Sequence, residues 1–214
     1  MTSPRTPIVP PPPAIRAGHV AEVAWESADW TVVDLGFSQR SRSCGLLVHD
    51  GEPANVTFAD LRRRLRKAVS ERGRPLHLVL EAPLSVAFLP DGSPTGRSCE
   101  RRPGEQPRYW YLGLGCSVMT AALYLLRDLV DAGPARDVRL FEGFVSFKPR
   151  GGGRSSHTAD VLALRRVVQD GPSVGEAVLG PGALAAEPGH LVRSAFAVSG
   201  MDLGVPPVLV ASSV

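Results

Sequence analysis

Three apolar runs that each end in an acid restrict the fold of this chain more than any other feature. They are Trp30-Thr31-Val32-Val33-Asp34, Leu76-His77-Leu78-Val79-Leu80-Glu81 and Val138-Arg139-Leu140-Phe141-Glu142. Each is short, rich in β-branched or aromatic side chains and bounded by turn residues, which is the pattern of a buried strand. Two more strand-like runs follow the first closely, Cys44 to His49 and Asn55 to Phe58, with the tight-turn signal Asp50-Gly51 between them. Strands joined by such short turns are antiparallel.

Between the acid-terminated runs the periodicity becomes helical. Phe58, Leu61, Leu65 and Val69 recur at three- to four-residue spacing and predict a helix from about Phe58 to Arg72, stopped by Gly73. Val118, Ala122, Leu125, Leu126 and Leu129 predict a second helix over Cys116 to Asp131, ended by Gly133-Pro134. A third is expected from His157 to Gln169, before Gly171-Pro172. Ala82 to Leu114 reads as a long irregular, Arg-rich insertion, and a stretch of that length in a compact domain is usually functional or disordered. Ala195-Phe196-Ala197-Val198 and Pro207-Val208-Leu209-Val210 are expected as peripheral strands.

The resulting order is three strands, then helix, strand, helix, strand, helix. Strands separated by helices should be parallel. The expected fold is therefore α/β, a mixed five-stranded sheet flanked by helices, with three antiparallel strands followed by parallel ones. That arrangement resembles ribonuclease H. It would occupy residues 21–214, preceded by a disordered tail over 1–20, because Met1 to Pro13 carries six prolines and favours polyproline II.

Composition agrees with one folded domain: hydrophobic residues make up 43% of the chain and charged residues 21%. Cys44, Cys99 and Cys116 are odd in number and form no CxxC pair, which argues against a zinc site or a disulfide framework. The N-terminus lacks an apolar signal core, and Val118 to Leu126 is too short to span a bilayer. A cytoplasmic protein without membrane contact is expected.

Asp34, Glu81 and Glu142 end separate strands, and Asp160 lies in the first turn of the last helix. Parallel strands present their C-terminal ends at one sheet edge, where ligands bind in open α/β folds. Carboxylates gathered there repel one another unless a cation neutralises them. Hard ions such as Mg2+ or Mn2+ prefer oxygen ligands and can activate water against a phosphodiester. Asp34, Glu81, Glu142 and Asp160 are thus the expected metal ligands. His157, three residues before Asp160, shares its helix face and could handle a proton.

These residues resemble a known pattern. Val33-Asp34-Leu35-Gly36, the strand ending Leu80-Glu81-Ala82-Pro83, and His157-Thr158-Ala159-Asp160 are similar to the Asp…Glu…His-x-x-Asp series of RuvC-like Holliday-junction resolvases. Glu81-Ala82-Pro83-Leu84-Ser85 and the segment Gly96-Arg97-Ser98-Cys99-Glu100-Arg101 resemble a family of uncharacterised, predicted ribonuclease-H-like nucleases. The likeness covers roughly Trp30 to Gln169. It implies that Asp34, Glu81 and Asp160 are metal-binding catalytic acids with His157 beside them. Val161 stands where resolvases usually carry Ala.

The net charge is +3 and the pI near 9.0, which permits a polyanionic partner. Arg62, Arg63, Arg64, Arg66 and Lys67 crowd the first helix, where a solvated face is the ordinary reading. Arg97, Arg101, Arg102 and Arg108 lie near Tyr109-Trp110-Tyr111, and Arg150 and Arg154 bracket three glycines before His157. Arginine pairs with phosphates and aromatic rings stack on bases, so Arg97, Arg101, Arg102, Arg150 and Arg154 are the expected nucleic-acid contacts. The tyrosines and Trp110 could equally anchor the insertion in a core. The leading expectation is a two-metal-ion nuclease acting on DNA or RNA, its oligomeric state open and a dimer allowed. Two rivals stand beside it: a catalytically inactive binding or scaffolding module, and an actin-like nucleotide binder.

Overall fold

The computed structural model describes residues 14–36, 42–101, 109–110, 114–146 and 156–212. Its strands, in chain order, are β1 (Ile15–Ala17), β2 (Asp29–Asp34), β3 (Cys44–Val48), β4 (Ala54–Val56), β5 (Leu76–Glu81), β6 (Ser85–Phe88), β7 (Pro94–Thr95), β8 (Val138–Ser146), β9 (Ala177–Leu179), β10 (Leu191–Ser194) and β11 (Val208–Ser212). Helices α1 (Phe58–Ser70), α2 (Leu114–Asp131) and α3 (His157–Gln169) lie where the periodicity predicts them. Thr57 caps α1, its hydroxyl accepting from the Asp60 amide, which satisfies one of the helix's first amides. No helix among the described residues is long and apolar enough to cross a membrane.

The main sheet runs β4-β3-β2-β5-β8-β11-β9, with β1 also paired to β8. β2 pairs antiparallel with β3, and β3 with β4, while β2, β5, β8 and β11 are successively parallel. The chain is α/β with a mixed sheet flanked by helices, as expected, but among the described residues the sheet has eight strands rather than five. The addition comes from β8, which continues past Glu142 to Ser146 and so offers a long second edge. β1 pairs with its first half, Val138 to Leu140, and β11 with its second half, Glu142 to Ser146. Two short segments together satisfy backbone groups that one strand would otherwise cover.

Three local expectations change accordingly. Ile15–Ala17 belongs to a strand and not to a tail, with Ile15 buried; residues 1–13 lie outside the described ones. Val208 to Ala211 is buried in the sheet rather than peripheral. Ala195–Ser199 is a 3-10 turn started by the Ser194 hydroxyl, which accepts from the Phe196 amide. The segment after Glu81 is also less irregular than expected: β6 pairs with β7 and β10 in a small antiparallel sheet.

Alternation along each strand divides the core between the two sheet faces. Val33, Leu46, Leu78, Leu80 and Leu140 pack against Leu61, Leu65 and Val69 of α1 and Ala122, Leu125, Leu126 and Leu129 of α2. Trp30, Val32, Leu47, Val79, Phe141 and Val145 face Val161, Leu164, Val167 and Val168 of α3. The basic run of α1 is held partly by α2: Arg62 Nε donates to Asp128 Oδ2 at 2.9 Å and Arg66 Nη1 to Asp128 Oδ1 at 3.2 Å.

The far edge of the sheet is tied to the end of α3 by Glu176. Its carboxylate accepts from the Ser173 hydroxyl (2.7 Å) and amide (3.0 Å), from Arg166 Nη2 (2.7 Å) and from the Ser212 amide (3.3 Å). Burial alone would raise its pKa, but these donors outweigh it and hold the group at about 2, below its usual 4.5. A depressed carboxyl stabilises the fold above its unfolded pKa and loses that contribution as pH falls through the folded one. Stability should therefore decline between about pH 4.5 and pH 2. Glu176→Gln should remove this portion of the acid slope and lower stability at pH 7 by about 2 kcal/mol, measured by urea unfolding across that range. An unchanged slope would contradict the assignment.

Candidate metal centre

Asp34 is the last residue of β2, and Glu81 the last of β5. The strands are parallel and in register, so the two acids are direct neighbours. The same row continues to Gly45 on β3 and Gly143 on β8. Residues of one row point to one face, and this row points toward α3, the side occupied by Val32, Val79 and Phe141. The third acid descends from above, since Asp160 lies in the first turn of α3. Ser156 caps that helix, its hydroxyl accepting from the Ala159 amide at 3.1 Å. With Asp160 in its first turn, α3 brings the positive end of its dipole to the acids.

One carboxylate oxygen each from Asp34, Glu81 and Asp160 lies within 4.8 Å of the other two, and all three residues are buried. Around an octahedral Mg2+, oxygens on opposite sides are about 4.2 Å apart, so small closing motions suffice to share an ion. Three oxygen donors of one sign suit a hard cation and not a soft metal. The triad named from the sequence is thus assembled, and it could hold a metal ion. His157 Nδ1 lies 2.6 Å from Asp34 Oδ2. The histidine side chain is 39% exposed against 8% for Asp34, so this flank of the site meets solvent.

Two glycines that sequence reading passed over make this approach of α3 feasible. A Cβ at Gly45 would lie 2.3 Å from the backbone oxygen of His157, and one at Gly143 would lie 2.6 Å from Leu164 Cδ1. The row therefore reads glycine, acid, acid, glycine. Glycine within an otherwise apolar strand is a signal of close backbone approach, and Cys44-Gly45-Leu46 and Glu142-Gly143-Phe144 both carried it.

Glu142 does not join the centre. It is one residue out of step with Glu81, opposite Leu80 in the register, so alternation turns it to the other sheet face. There its Oε2 accepts from the Leu84 amide and from Arg97 Nη1, each at 2.8 Å. Complete burial outweighs the pull of Arg97 and pushes its pKa up to about 7.

Arg97 is correspondingly misplaced as a nucleic-acid contact. Its side chain is fully buried and cannot reach a phosphate backbone. It donates from Nε and Nη2 to Glu100 Oε1 at 3.1 and 2.8 Å, and from Nη1 to Ser85 Oγ at 2.8 Å. Arg101 pairs with Glu187 at 3.0 Å and reaches Thr95 Oγ1 at 3.2 Å. Arg102, Arg108, Tyr111, Arg150 and Arg154 lie outside the described residues. Trp110 packs edge-on against Phe144, with ring centroids 5.1 Å apart, in the manner of a core anchor.

Mn2+ or Mg2+ should raise the melting temperature of the wild-type chain by binding the native state, with about 2.7 kcal/mol of stabilisation at one hundred times the Kd. Asp34→Asn should abolish that increment, and scanning calorimetry with and without metal reads both. Gly45→Ala should cost about 1–3 kcal/mol and diminish the metal-dependent increment as well. Equal metal-induced shifts in wild type and Asp34→Asn would place the ion elsewhere. Comparison of the chain with family models, curated proteins and solved structures found no match.

Proposed function

We propose that this protein is a metal-dependent phosphodiesterase of ribonuclease-H-like architecture acting on nucleic acid. One observation carries the reading: Asp34, Glu81 and Asp160, from two strand ends and a helix start, bring carboxylate oxygens within 4.8 Å of one another in a buried setting. The strand path β4-β3-β2-β5-β8, antiparallel then parallel, is the support for the architecture. The pI near 9.0 suits a polyanionic substrate.

When bound, a divalent ion supplies a polarised phosphoryl oxygen and a more acidic water. The chain's own residues do the rest. Asp34, Glu81 and Asp160 would set where the ion sits; the register of β2 and β5 fixes the first two and the first turn of α3 supplies the third. The contact of His157 Nδ1 with the Asp34 carboxylate favours the tautomer protonated on Nδ1, so Nε2 is the basic nitrogen. His157 is half-exposed at the rim and could take a proton from attacking water there. Asp34 orients the ring.

Labelled single-stranded, duplex and branched oligonucleotides should be cut only with Mg2+ or Mn2+. Asp34→Asn and Asp160→Asn should each reduce cleavage at least about a hundredfold, while His157→Ala should leave a metal-dependent residue of activity, about 10²–10⁴-fold down. A wild-type chain that binds metal but cuts none of these substrates would overturn the hydrolytic reading and leave a binding module in its place.

A further inference from the structure

The segment that leaves β5 is held unusually tightly just after Glu81. The Ala82 amide donates back to the Leu80 carbonyl at 2.9 Å, which makes Glu81 the centre of a tight three-residue turn. Pro83 then restricts Ala82 to extended backbone. The Leu84 amide donates to Glu142 Oε2 at 2.8 Å, and the Leu84 carbonyl accepts from the Ala195 amide at 3.0 Å. At Ser85 the hydroxyl accepts from Arg97 Nη1. Ala82, Leu84 and Ser85 are all fully buried.

We infer that Glu142 is a positioning residue for the metal centre, fixing through the Leu84 amide the turn that delivers Glu81. The inference rests on reading Asp34, Glu81 and Asp160 as the metal site. Glu142 itself sits on β8 beside Leu80, with the next residue, Gly143, beside Glu81. It thus sits beside Leu80 before the turn and holds the chain by its carboxylate after it, while its own amide donates to the Pro207 carbonyl on the β11 side. Arg97 holds that carboxylate in place, and Glu100 holds Arg97 through Nε, Nη2 and its backbone amide. The three side chains are fully buried, one guanidinium between two carboxylates. Glu100 pairs with Arg97 on its own account, so an amide at position 142 leaves the guanidinium compensated and still offers an acceptor to the Leu84 amide. A residue that only anchors the small β6-β7-β10 sheet would affect stability alone, whereas one that places a ligand must also affect the ion.

The test uses the full chain, with Mn2+ alone as the probe, titrated calorimetrically, and metal-free melting measured in parallel. Glu142→Gln keeps an acceptor for the Leu84 amide and should bind Mn2+ within about twofold of wild type. Glu142→Ala removes the acceptor and should weaken Mn2+ binding about tenfold or more, the scale of outer-layer partners of metal ligands. Leu129→Ala, in the α2 core away from the site, should lower melting without changing Mn2+ affinity. Should Glu142→Ala not fold, the combined Arg97→Met, Glu100→Leu and Glu142→Leu replacement decides, because buried ion clusters can often be exchanged for apolar ones without loss of stability. It should fold and still bind Mn2+ about tenfold more weakly. A folded Glu142→Ala or triple variant that binds as tightly as wild type overturns the inference, as does an equal loss in Leu129→Ala. Absence of Mn2+ binding by the wild type would instead overturn the metal reading on which it rests.

Discussion

Three carboxylates buried at one sheet edge repel one another, and much of the surrounding structure serves to hold them there. The register between β2 and β5 makes Asp34 and Glu81 neighbours. The glycines at either end of their row let α3 descend until Asp160 reaches them. The N-terminus of α3, capped by Ser156, carries Asp160 to the acids, and His157 meets Asp34 from the solvent side. The first two features bring like charges together, and the helix N-terminus and His157 are what offset the cost of concentrating them out of water. A domain with no use for that charge would fold more readily with apolar residues at the same positions, because an apolar strand end needs no partner.

The opposite face of the same strands shows the alternative solution. Glu142 is also buried, one residue from the row of acids, but it is compensated by a buried arginine instead of gathered with other acids. Two carboxylates of one chain, equally apolar in setting, are thus sorted into an ion-pair network and an acidic cluster by the pleat of the sheet alone. The network also ties the β6-β7-β10 sheet to the core sheet at the strand end from which Glu81 leaves.

Much of this was legible before the structure. The strands ending at Asp34 and Glu81 and the helix beginning at His157 follow from local periodicity and turn residues, and the triad follows from them. What was illegible required knowledge of register. Glu142 ends an apolar run much as Glu81 does, and only the pairing of Glu81 with Gly143 shows that the two acids face opposite ways. Arg97 reads as a surface cation because arginine is seldom buried, and its partners Glu100 and Glu142 lie three and forty-five residues away. β1 was missed because it is only three residues long, and β11, expected as a strand, was not placed in the main sheet because it pairs across a separation of more than sixty residues with a part of β8 that the apolar pattern did not mark. Gly45 and Gly143 carried a usable signal, since glycine inside an apolar strand costs stability unless something must come close.

The most direct test of the account is anomalous scattering from crystals of the full chain equilibrated with Mn2+. The account predicts a peak bounded by the carboxylates of Asp34, Glu81 and Asp160, at about 2.1–2.3 Å from their oxygens, and none beside Glu142. Saturating Mn2+ with no peak between those three residues, or with the ion bound at Glu142 instead, would contradict it.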